Sequence, residues 1–188
     1  MKTIYLISTK DLKDNTSIND NTADYLLNAA IRDAQTINVQ QITGTVLYKK
    51  ILQLVSDGSI KSEENAKYKE LLDEYIQPVI INYALLYAIP SVRFKIQNTG
   101  VVNQSSDNSQ PTDIKDVQFV MEETRNKAEF YATLLSDHLK ANYKMFPELS
   151  ENRTIEEKKP MIHQYTCGLV LDDLYPNQLH YNTMPTYF

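Results

Sequence analysis

His163, Cys167 and the pair Asp172-Asp173 fall in one short stretch near the C-terminus. They are the residue types that thiol-based nucleophilic catalysis needs: a thiolate, a base to take its proton, and a carboxylate to orient the base. His180 adds an imidazole that a metal could use. Cys167 is the only cysteine, however, and the chain has just three histidines, so neither an intrachain disulfide nor a multi-cysteine zinc site can be built. The competing reading makes Cys167 a small apolar filler in a docked tail and His163 a polar surface residue. Gly44, Gly58, Gly100 and Gly168 are the whole glycine supply and belong to no phosphate-cradling or dinucleotide motif; no zinc-protease, hydrolase-elbow or paired-cysteine pattern occurs either. The expectation is a protein that is not an enzyme and carries no cofactor and no metal.

The elements around those residues are mostly helical. Ser8 or Thr9 can cap a short helix with Asp11 in its first turn, after an extended start at 2–7. Asn21 or Thr22 can cap the next, whose stripe of Ala23, Leu26, Leu27, Ala30, Ile31, Ala34 and Ile37 repeats at helical spacing to about Val39. Gly44 interrupts, and a helix with Val46, Leu47, Ile51, Leu52, Leu54 and Val55 then stops at Ser56-Asp57-Gly58, with Lys49 and Lys50 on its wet face. From Ser62 a long stripe runs through Tyr68, Leu71, Leu72, Tyr75, Ile76, Val79, Ile80, Tyr83, Leu86 and Tyr87. Pro78 inside it predicts a kink, and Pro90 predicts its end.

The pattern then changes. Val92, Phe94 and Ile96 alternate with Arg93, Lys95 and Gln97, and Asn98-Thr99-Gly100 supplies turn residues before Val101 and Val102, which predicts a β-hairpin. A two-stranded hairpin alone is marginal in water, so it wants a partner. After a polar loop to Pro111, Thr112 or Asp113 can cap the last long helix, with Val117, Val120, Met121, Thr124, Ala128, Tyr131, Leu135, His138 and Leu139 on one face, ending between Asn142 and Phe146. His138 on that face reads as a hydrogen-bonded core or interface histidine. From Ser150 the chain loses helical phase and mixes proline, tyrosine and short apolar runs. It is too short to fold alone and too apolar for a linker, and must lie against its own core or a neighbour. The expected organisation is a mainly α, small helical bundle over 1–149, with the hairpin and loop 91–111 inserted, and an extended C-terminal arm over 150–188.

A net charge of −5 argues against non-specific nucleic-acid binding. Arg93 and Lys95, with Lys61, Lys67 and Lys69 nearby in sequence, are interleaved with acidic residues and read as a solvated or partner-facing surface. No stretch reads as a signal peptide or a membrane span. Thirteen tyrosines and no tryptophan are unusual; those on the long helix share the phase of its core, whereas those of the arm do not, and tyrosine suits a surface half-buried against a partner.

The segments "AIRDAQ", "LLDEYIQP", "NTGV" and "FPE", in this order of helices and strands over about residues 9–149, resemble the head-to-tail connector, or adaptor, proteins of tailed bacteriophages, in particular the connector-type ring proteins of crAss-like phages. The resemblance implies a virion protein assembled as a ring, typically of twelve copies, between the portal and neighbouring tail or ring proteins. DNA would pass through its channel without sequence-specific binding, and the protein would sit at the head-tail interface after assembly in the host cytoplasm. On this reading Arg93, Lys95, Gln97, Asn98 and Thr99 of the hairpin and Tyr165, Tyr175, Tyr181, Tyr187 and Phe188 of the arm are the expected assembly interface. A thiol or hydrolase-like enzyme using Cys167 and His163, or a helical binding module, is the alternative.

Overall fold

The computed structural model describes residues 3–97, 100–103, 114–150 and 157–161. Helix α1, Thr9–Asp14, opens on a reciprocal cap: Asp11 N–H donates to Ser8 Oγ at 3.1 Å, and the Ser8 amide and hydroxyl donate to Asp11 Oδ2 at 2.8 and 2.7 Å. Those hydrogen bonds, the hydroxyl one foremost, hold the Asp11 carboxyl below its ordinary pKa. Ahead of it, residues 3–7 are tied down by the buried side chain of Gln35, whose Nε2 donates to Ile4 O at 2.9 Å and whose Oε1 accepts from Leu6 N–H at 3.2 Å. That amide lets Leu6 and Ile7 reach the core without leaving their backbone unpaired.

Helix α2, Asp24–Asp33, starts after Ala23 with no side-chain cap, so neither Asn21 nor Thr22 plays the part expected of it. Lys13 instead reaches Asp24 in its first turn at 2.8 Å and Asp20 O at 2.9 Å. The predicted stripe holds at Leu27, Ala30, Ile31 and Ala34 and then breaks, leaving Ile37 52% exposed. A π-helical turn over Ala34–Val39 is the reason. Gln40 N–H donates to Gln35 O, five residues back, and the wider turn carries the inward position from Ala34 to Val39.

Helix α3, Gln40–Ser56, carries non-helical backbone at Gly44, and Gly58 just past its end adopts left-handed φ, as the turn residues predict. Two short 3₁₀ turns, Ser59–Lys61 and Glu63–Asn65, then precede α4, Ala66–Glu70, so regular α-helix begins at Ala66 rather than at Ser62. A second π-helical turn, Leu71–Ile76, joins α4 to α5, Gln77–Arg93. Gln77 N–H reaches Leu72 O in this widened turn, and Pro78, with no N–H to give, sits directly behind it. The departure from regular helix that Pro78 demands is taken up there. The run Glu63–Arg93 is long and apolar enough by length and composition to cross a membrane; here Val79, Ile80, Ala84 and Leu86 are buried in the bundle.

Pro90 does not end α5. The helix passes through it to Arg93, so Val92 is helical and exposed rather than part of a strand. Extended backbone starts at β1, Phe94–Gln97, which pairs antiparallel with β2, Gly100–Asn103, Phe94 opposite Asn103 and Gln97 opposite Gly100. Helix α6, Ile114–Ala141, returns against α5, which also packs on α2. Leu27, Ile31, Leu71, Ile76, Ile80, Leu135 and Leu139 of these helices lose all solvent exposure.

Two further 3₁₀ turns, Tyr143–Met145 and Pro147–Leu149, fold the chain back across α3 and α4. Phe146 meets Tyr68 edge-on, with ring centroids 5.8 Å apart, and the Tyr68 hydroxyl donates to Glu148 Oε1 at 2.6 Å in a buried bond. Lys67 Nζ caps this corner by donating to Met145 O at 2.6 Å. Tyr68→Phe keeps the ring but takes a donor from a buried carboxylate. We expect a loss of about 1–3 kcal/mol, read as a lower urea midpoint with an unchanged m-value.

Candidate assembly surface

Helix α6 is built in two halves. Thr124, Ala128, Ala132, Leu135 and Leu139 form a buried stripe, but no residue from Ile114 to Glu123 is buried. At about 1.5 Å per residue, those ten residues are some 15 Å of helix with no buried side chain, although Met121 still packs against the core. The stripe does not end with the core: Val120, one turn before Thr124, is 51% exposed, and Ile114 and Phe119 are more exposed still. Phe130 and Leu134 continue the Phe119 side of the helix, also exposed. Helix α5 behaves alike, with no buried residue after Ala88. The start of α6 thus leaves apolar side chains outside the bundle's burial. Its apolar side chains are of the type that elsewhere in α6 make the core.

The predicted interface residues divide sharply. Arg93 closes α5 half-buried, its guanidinium 5.4 Å from the ring centre of Phe94. Lys95 and Gln97 lie in β1. Asn98, Thr99, Tyr165, Tyr175, Tyr181, Tyr187 and Phe188 lie outside the described residues, as do His163, Cys167, Asp172, Asp173 and His180. Among the described residues, no group of three His, Cys, Asp or Glu could hold a metal.

Adjoining the exposed part of α6, a cleft of about 1190 Å³ opens between the α1–α2 connection, α5 and α6. Asn15, Asn82, Lys127, Phe130 and Tyr131 line it. The cleft mixes amide, charge and aromatic surface.

The break in α3 is filled. Gly44 has φ 75° and ψ 164°, a combination that only glycine adopts readily. Residues 157–161 lie against it. Thr45 N–H donates to Lys158 O at 3.1 Å, Lys158 N–H donates back to Thr45 Oγ at 2.9 Å, and Met161 N–H donates to Gln41 O at 2.9 Å. Lys49 and Glu157 add an ion pair at 3.1 Å. A Cβ at position 44 would stand 2.9 Å from both the ring Cδ and the nitrogen of Pro160. Neither this segment nor its seat was foreseen from sequence, where "ENRTIEEKKP" reads only as polar; the lone glycine in α3 was the available signal.

His138 sits where its phase predicts, half-buried on α6, with its ring 3.8 Å from that of Tyr75 and Nδ1 3.3 Å from the Asn142 amide. Burial holds its imidazole below the ordinary 6.5, opposed by Glu70 and Glu74. As pH falls through 6.5 the unfolded chain takes up this proton first, so its contribution to stability, full above that value, is lost on the way down through the folded pKa. Urea midpoints should therefore drop between pH 7.5 and 5.5, and His138→Gln should flatten that difference.

These features define a mainly helical bundle with an apolar extension and a backbone-bonded seat in α3. Residues 39–159, more than half of the chain, match the family of unknown function DUF6712, and the chain belongs to that family. The matched region opens at Val39, just before the seat, and closes at Lys159, within the segment that fills it. No curated protein and no solved structure matches the chain.

Proposed function

We propose that this chain is a structural protein that assembles with copies of itself, and that its place is the connector ring between portal and tail of a tailed phage. The observation that carries the reading is the apolar stripe of α6, which runs from the core to Val120, 51% exposed among the described residues, with Phe119 beside it 65% exposed. A ring is made by heterologous contacts, in which one surface of each subunit meets a different surface of the next. The exposed start of α6 supplies one surface for such a contact, and the cleft between the α1–α2 connection, α5 and α6 supplies a second. The extended C-terminal arm with its tyrosines adds contact area to portal or neighbouring rings, and the resemblance in "LLDEYIQP" and "NTGV" supplies the head-tail setting and the number twelve. In this role the protein carries no catalytic step and needs no cofactor, and DNA passes without being read.

The test replaces Phe119 and Val120 together with glutamate. Both side chains are exposed in the subunit, so the double variant should keep its helical circular dichroism and its melting temperature. In sedimentation velocity it should shift from assembled species to monomer. An unchanged distribution of assembled species would remove this surface from the account.

A further inference from the structure

The segment 157–161 is bonded to α3 in an unusual way. Three of its contacts use its own backbone, through Lys158 N–H, Lys158 O and Met161 N–H, and all fall within Gln41–Thr45. Its side chains add little burial, since Lys158, Lys159 and Met161 are exposed. Beside it, a cavity of about 310 Å³ stays open between Val46, Lys49, Gln53, Glu148 and Glu157. The seat therefore reads backbone N–H and C=O groups, a proline against Gly44 and an acid opposite Lys49. None of these features depends on which copy of the chain supplies the segment. From Ser150 to Glu157 there are seven Cα steps, which reach at most about 25 Å.

We propose that residues 157–161 are an exchangeable clip: in the assembled protein, the clip of one copy occupies the Gly44 seat of the next. Swapping an identical element repeats every contact of the closed subunit, so the new interface gains strength without a new binding surface. The Gly44 break in α3 is then a receptor for a neighbour's chain, its missing Cβ admitting Pro160 and the Thr45 amide and hydroxyl bracketing Lys158. This rests on the proposal that copies of the chain assemble, and says which segment joins them.

Two chains with different affinity tags, one carrying Lys49→Cys and the other Glu157→Cys, both in a Cys167→Ser background, are co-expressed and treated with a short bismaleimide. Exchange predicts a cross-linked product bearing both tags, its yield falling about tenfold when the Lys49→Cys chain also carries Gly44→Ala. A chain carrying both cysteines then serves as reference for closure within one copy. If sedimentation shows assembled protein but cross-linking occurs only within that doubly substituted chain, exchange is wrong and assembly stands. Protein that sediments only as monomer overturns both.

Discussion

Gly44→Ala should be strongly damaging, lowering stability by about 2–3 kcal/mol and the melting temperature by roughly 5–10 °C. Two independent costs meet at this position. A side chain is strained at φ 75° and ψ 164°, and the added Cβ would press at 2.9 Å on Pro160 Cδ and N, one of them a backbone atom that cannot swing aside. Gly58 is the built-in control. It also has positive φ, at 70°, but nothing stands within 4 Å of where its Cβ would be. Gly58→Ala should therefore cost only about 1 kcal/mol. Differential scanning calorimetry on the two variants compares a crowded position in glycine-only backbone with an open left-handed one, and equal melting temperatures would contradict this account of Gly44.

The second large effect contrasts two positions on one face of α6. Leu135 is wholly buried where α6 meets the bundle, and Leu135→Ala should cost about 3 kcal/mol through lost burial and the cavity left behind. Val120 belongs to the same stripe but is half exposed, so Val120→Ala should stay within about 0.5 kcal/mol of the parent in the isolated subunit. Self-association should rank them the other way: Val120→Ala weakens it, while Leu135→Ala alters it only as far as the fold itself loosens. Chemical denaturation at low protein concentration reads the first ranking, and concentration-dependent sedimentation reads the second. The contrast matters because it distinguishes an interface from a core that happens to fray.

Much of the fold was legible because it is written in side chains. Ser8 and Asp11 announce their cap, Gly44 and Gly58 their breaks, and the tyrosines of the long helix fall in the core phase, with Tyr68 and Tyr83 buried and Tyr75 and Tyr87 packed against it. The errors arose where hydrogen bonding departs from the regular repeat. A stripe read at 3.6 residues per turn puts Ile37 inside, but the π-helical turn moves the inward position on to Val39. Pro90 reads as a stop because it lacks a donor, yet it stays within the last turns of α5, where Phe94 N–H still returns to Pro90 O. Periodicity also says nothing of whether a stripe finds a partner, so Val120 and Leu135 look equivalent in sequence and differ in exposure. The clip was illegible for a further reason: its bonds are made by backbone groups, which every residue carries.

The central claim is that copies of this chain form a ring at a portal-tail junction. Single-particle cryo-electron microscopy of tailed particles purified from cells that express the protein tests it most directly. The account predicts a closed ring of this chain directly against the portal, with the Phe119 and Val120 surface of each subunit covered by the next. Particles whose junction lacks this chain, or a junction in which that surface faces solvent in every copy, would contradict it.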